Sequence, residues 1–168
     1  MTQDGYFSGH GRVMMVGAEV NRWGEATRTS PDHIWTKVSR KDTDDAWSMF
    51  ESRVPSGLAV PLHSHNDQEE WFWVLDGNFL FEVGGEVFRL TPGMSLLAPR
   101  QIPHRWKKLN DSDGRLLILV QPAGSLEDFF DRFAELSDEQ QQNAPLLRAM
   151  FAECGMELLG PPLDDSAS

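Results

Sequence analysis

The 168-residue chain has one cysteine, Cys154, and one tyrosine, Tyr6. A lone cysteine excludes an internal disulfide and any cysteine-based zinc cluster. It sits in Leu146–Cys154, a stretch spaced like a helix face, and reads as a buried, inert thiol. Positive charge is also scarce: 15 Lys and Arg against 26 Asp and Glu give a net charge of −11. A chain so acidic repels phosphate backbones and anionic lipid, so nucleic acid and membrane surfaces are excluded as partners. Nowhere do about 18 apolar residues run together, and no transmembrane helix is expected. The segment Met1–Tyr6 lacks a basic region followed by an apolar run, so no signal peptide is expected and the cytoplasm is the default location. Internal repeats and low-complexity tracts are missing too.

What is present is the composition of a globular protein, 40% hydrophobic and 24% charged. A chain of this length fits one domain, which buries roughly 70% of its unfolded surface without staples. The acidity is uneven. Residues 125–168 hold ten acids against Arg132 and Arg148, whereas the first 124 residues carry a net of only −3.

Three segments are expected. Residues 1–45 form an N-terminal arm rich in turn formers, with short extended stretches at Arg12–Val16 and Ile34–Val38. Residues 46–122 alternate short strands with turns, the pattern of an all-β barrel or sandwich. The strands expected are Trp47–Val54, Glu70–Leu75, Phe79–Val83, Glu86–Leu90, Met94–Ala98, His104–Lys107 and Leu116–Gln121. Asp76-Gly77 and Gly84-Gly85 tolerate positive φ and predict two successive hairpins. Residues 123–168 change period. Ser125 is a good N-cap, and Leu126, Phe129, Phe130, Phe133 and Leu136 fall at helical spacing. A second short helix is expected over Pro145–Glu153, stopped by Gly155, and Pro161-Pro162 is expected to end the ordered chain. These two helices read as a lid or brace on the β core.

Chemistry concentrates in the strand region. His63 and His65 are two apart, so an extended chain points both to one face. Glu70 opens the next strand, and His104 follows Pro103. Three imidazoles and a carboxylate make an N3O donor set suited to Fe, Mn, Ni, Co, Cu or Zn. Taken alone, His-x-His is weak evidence and reads more readily as a pair of core or surface histidines. His10 and His33 match no motif and read as arm or surface residues.

The surrounding framework is more specific. Gly57-x5-His63-x-His65-x4-Glu70-x6-Gly77, followed by Gly93-x5-Pro99-x4-His104, resembles the two motifs of the cupin superfamily. The resemblance is tight over Gly57–Lys108 and looser over Trp47–Pro122. Gln101 stands where the family has glycine and Lys108 where it has asparagine, which puts the turn near Gln101 in doubt but not the ligands. Gly124–Phe130 and Gly160-Pro161-Pro162 further resemble single-domain, quercetin-dioxygenase-like cupins. The resemblance implies a double-stranded β-helix, a jelly roll with an N-terminal arm and two short C-terminal helices. It also implies one divalent transition metal held by His63, His65, Glu70 and His104, with Glu70 doubling as a catalytic base. The function implied is a metal-dependent enzyme, foremost a dioxygenase acting on a small apolar or aromatic oxygenated molecule. The alternatives are an isomerase, lyase or decarboxylase, or a non-enzymatic small-molecule binder.

Alternation extends the site. If Glu70 and His104 point inward, so do Phe72 and Val74, and Ile102 and Trp106, an apolar substrate wall without a phosphate-binding fork. Trp71, Trp73 and Leu75 then point outward and need cover. A homodimer is expected.

Overall fold

A computed structural model describes residues 13–24, 33–109 and 112–164. Its strands are β1 (Ile34–Val38), β2 (Ser48–Val54), β3 (Pro61–His65), β4 (Glu69–Asp76), β5 (Phe79–Val83), β6 (Glu86–Leu90), β7 (Ser95–Ala98), β8 (His104–Lys108), β9 (Gly114–Gln121) and β10 (Met156–Pro162). Helices α1 (Leu126–Ala134), α2 (Asp138–Gln141) and α3 (Ala144–Glu153) lie between β9 and β10. Two antiparallel five-stranded sheets result, ordered β1-β2-β9-β4-β7 and β10-β3-β8-β5-β6. From β2 to β5 and again from β6 to β9 the chain switches sheet at each strand, which is jelly-roll winding.

Strict alternation builds the core. Leu116, Ile118 and Val120 of β9 are buried and the residues between them half-exposed. They face Val74, Phe72 and Glu70 of β4 across the ladder. Opposite, Phe79, Phe81 and Trp106 supply the second sheet's inner face, and Phe72 packs 4.9 Å from Phe81. The half of the barrel beneath Glu70 is thereby filled with side chains.

Several expectations are corrected. Gly84-Gly85 closes the β5–β6 hairpin, but Asp76-Gly77 does not close one, because it carries the chain from the first sheet to the second. Gly77 (φ 79) is required there for a further reason: a Cβ would stand 2.6 Å from Lys108 Cε and 3.0 Å from Gly114 Cα. The tail forms three helices rather than two, α2 being a single turn capped by Ser137. Pro161 and Pro162 do not end the ordered chain. They complete β10, which pairs with β3 at the open edge of the second sheet, where an outward-facing proline costs no ladder hydrogen bond. Residues 13–16 are not a strand, and Arg12 and His10 lie outside the described residues. Among the described residues no helix is long and apolar enough to cross a membrane.

Candidate metal centre

β3 places His63 and His65 side by side, with Met156 and Leu158 of β10 opposite them. His63 is also in register with His104 on β8, while Glu70 enters from β4 in the other sheet. One nitrogen or oxygen from each of the four residues lies within 4.8 Å of the others, and all four side chains are buried. Glu70 Oε2 is the shared centre, 3.1 Å from His104 Nε2 and 3.3 Å from His65 Nε2.

The outer nitrogens fix the tautomers. Nδ1 of His63 meets the Pro61 carbonyl at 2.8 Å, and Nδ1 of His104 meets the Ile102 carbonyl at 3.0 Å. Nδ1 of His65 meets Gln68 Oε1 at 3.0 Å. A carbonyl oxygen only accepts, so each Nδ1 carries a proton, and in the neutral ring each Nε2 turns a lone pair inward. His65 Nε2 is a buried nitrogen without a well-aligned hydrogen bond. Three inward lone pairs around a carboxylate repel one another unless a cation or proton joins them. This donor set therefore fits a divalent transition ion, with the outer partners that ligating histidines require already in place.

The charges are arranged accordingly. Burial, reinforced by His104 and His65, pushes the His63 imidazole down to about 3 and keeps it neutral. Burial alone would raise Glu70, but the adjoining His104 and His65 hold it well below the usual carboxylate range. For His65 burial works downward, yet the neighbouring Glu70 and Gln68 outweigh it and raise the imidazole above its ordinary value.

Above the cluster lies a cavity of about 400 Å³. His63, His65 and Glu70 form its polar floor, and its walls are largely apolar. Much of that wall comes from outside the barrel: Phe129, Phe130 and Phe133 on α1, and Leu147 and Phe151 on α3. The His63 ring meets Phe151 edge-on at 5.7 Å. Gln141 and Gln142 add neutral polarity, and among the described residues no lysine or arginine lines the space.

Of the four wall positions expected from alternation, only Trp106 lines this cavity. Phe72 and Val74 do point inward, but into the filled half of the barrel, where both are fully buried. Ile102 is 38% exposed, because it sits in the loop before β8, where strand alternation does not yet apply. The aromatic residues of α1 were visible as a helical stripe, but periodicity does not say what a stripe faces. His33 stays outside the cluster, its ring tilted over Trp35 at 6.5 Å. Gln101 retains the left-handed turn the family gives to glycine, at φ 64, with its side-chain amide donating to the Asn66 carbonyl.

A two-sheet jelly roll with three histidines and a glutamate converging inside it defines the class. Residues 50–120 match the model of the cupin domain, and this stretch of the chain is a cupin domain. It is 30% identical over 81 residues to an uncharacterized protein of Methanocaldococcus jannaschii, covering 48% of this chain and 65% of that one. It is 25% identical over 123 residues to quercetin 2,3-dioxygenase of Bacillus subtilis, covering 73% of this chain and 32% of the enzyme. The chain thus spans under two thirds of each relative's length. Among solved structures, KdgF from a Halomonas species superposes with a TM-score of 0.50 at 22% identity, covering 55% of this chain and 79% of that one. A predicted oxalate decarboxylase from Thermotoga maritima gives 0.51 at 18%, covering 53% and 78%. These two share the fold.

Proposed function

We propose that the chain is a metal-dependent oxidoreductase, a dioxygenase acting on a small, largely apolar or aromatic molecule that bears oxygen. The observation that carries this reading is the convergence of four buried donor atoms on the floor of a cavity with mostly apolar walls. His63, His65, Glu70 and His104 would hold one divalent ion of the Fe, Mn, Ni, Co, Cu or Zn group. Such an ion supplies Lewis acidity and, where redox-active, electron transfer to dioxygen.

The protein's own groups do the rest. Hydrogen bonds at the three outer nitrogens fix the tautomers and orient the rings. Phe129, Phe133 and Phe151 would take a flat apolar body and exclude water from the floor. Glu70, an anion here, would accept the proton of a substrate hydroxyl directed at the floor.

The test is oxygen consumption with a panel of neutral aromatic compounds carrying adjacent oxygens, each metal loaded in turn. Oxygen uptake should match product, and Glu70→Gln should lower turnover about 10²–10⁴-fold. Turnover undiminished under nitrogen would instead mark an isomerase, lyase or decarboxylase. Tight binding without conversion by any metal form would mark a binding module. The relationship to quercetin 2,3-dioxygenase supports the oxygenase reading, with its substrate left to the panel. We further propose that the chain works as a homodimer joined through the outer face of β4.

A further inference from the structure

Gln68, three residues after His65, is buried, and both ends of its amide are committed. Its Oε1 accepts from His65 Nδ1 at 3.0 Å, while Nε2 donates to the carbonyls of Ala123 at 2.7 Å and Pro122 at 3.2 Å. Two carbonyls facing Nε2 leave no choice of amide orientation, because only the NH2 group can donate to them. The segment it grips is where the chain leaves β9 for the helices. Gly124 follows with φ 52, and a Cβ there would stand 2.8 Å from Gln68 Nε2. Ser125 then precedes α1, with its hydroxyl donating to the Cys154 carbonyl at the end of α3. Leu126, Phe129, Phe130 and Phe133 of α1 wall the cavity. One side chain therefore touches a ring on the cavity floor and the anchor of the cavity roof.

We propose that Gln68 is a positioning residue that couples occupancy of the metal centre to closure of the helical roof, an inference that rests on His65 ligating a metal. The physical link is polarisation along a hydrogen-bonded chain. A cation on Nε2 draws electrons from the ring and makes Nδ1–H a stronger donor. The bond to Gln68 Oε1 tightens, and the polarised amide donates more strongly to the Ala123 and Pro122 carbonyls. Linkage makes the effect reciprocal: a ligand that holds the roof down tightens the metal.

The experiment compares the full-length protein with Gln68→Ala and Gln68→Glu, using Co2+ alone as probe. Gln68→Ala removes both ends of the bridge and should weaken Co2+ binding about 10–100-fold. Gln68→Glu separates the ends. Its carboxylate still accepts from His65, so affinity should hold within about threefold, but it repels the two carbonyls and releases the roof. Amide hydrogen exchange over residues 126–134 reads the roof. In the unaltered protein Co2+ should slow that exchange about fivefold or more, the lower end of ordinary coupling between sites. In Gln68→Glu the slowing should vanish while Co2+ remains bound. Equal slowing in the unaltered protein and Gln68→Glu, or unchanged affinity in a folded Gln68→Ala, overturns the coupling and leaves the metal reading intact. An unaltered protein that takes up no Co2+, nor any other first-row ion, defeats that reading, and the coupling with it.

Discussion

At the level of single residues, Glu70 and His65 favour a proton between them that a bound cation would replace. Glu70 is held as an anion and His65 is raised above its ordinary value, so a proton on His65 and a cation at its Nε2 compete for the same place beside Glu70. His63, pushed down to about 3, contributes no competing proton there. The sign follows directly: lowering the pH adds protons to His65 and opposes the metal, and raising it favours the metal. Titration calorimetry in buffers of different ionisation enthalpy should show protons released on ion binding, more of them at pH 6 than at pH 8. Affinity should rise by up to about tenfold per pH unit until His65 deprotonates unaided. A pH-independent affinity between pH 6 and 8 would rule out that competition. His104→Ala deletes a donor that no neighbour replaces, so elemental analysis should find metal content fall from one ion per chain to near zero. The far-ultraviolet dichroism should remain, because the core of Phe50, Phe72, Phe81 and Leu116 stays packed.

The elements show how far local sequence reaches. The convergence of four side chains was legible because period-two geometry and two glycine-framed turns leave His63, His65, Glu70 and His104 little freedom. Strand existence was legible for the same reason, and β1, β5 and β6 have the limits that alternation gave. Sheet membership was not: Asp76-Gly77 is equally good chemistry for a hairpin and for a crossing between sheets. Nor did the sequence say that Pro161 and Pro162 return to pair beside β3, since the gain lies in covering an edge contributed by residues about a hundred positions away. The expected wall parts from the lining of this cavity for a related reason, because "inward" names a direction and not a depth. This makes the roof the element to perturb. Leu147→Trp on α3 adds bulk to a cavity of about 400 Å³ without touching a ligand. Metal affinity should hold within about twofold, while binding of neutral aromatic compounds weakens about tenfold or more, equivalent to about 1.4 kcal/mol. If both fall together, the roof supports the centre and not the ligand. A Gly77→Ala change acts on the fold instead. Its Cβ meets Lys108 and the Gly114 backbone at φ 79, so chemical denaturation should show a loss of about 1–3 kcal/mol with metal affinity retained.

On the scale of the whole molecule, the outer face of the first sheet is unlike the rest of the surface. Trp73, Leu75 and Leu97 are about 40–50% exposed, and Trp71 meets Trp73 edge-on at 5.4 Å. Leu117 and Leu119 of β9 continue the strip in register with Trp73 and Trp71. The N-terminal arm covers a different part of this sheet, where Lys37 donates to the Gly17 and Val20 carbonyls and Glu51 accepts from the Glu19 amide. The helices sit over the cavity on the inner side. Trp73, Leu75 and Leu97 stay exposed on this face of β4 and β7, and a second copy related by a twofold axis would place this strip against itself. Electrostatics give such a pair a distinctive signature. Each chain carries −11, so two chains repel at long range, while the residues of the strip named above are uncharged. Salt screens that repulsion over about 8–10 Å at ordinary ionic strength and leaves apolar burial intact. The dimer should therefore tighten as salt rises from 0.02 M to 0.3 M (roughly, the range over which screening grows), opposite to an interface built on ion pairs. Light scattering at micromolar concentration should give twice the 19.0 kDa chain mass. Trp73→Glu should return the protein to a monomer with metal affinity unchanged, since that side chain faces away from the centre. A monomer throughout the salt series would overturn the pairing, and a dimer that loosens with salt would move the interface to a charged face.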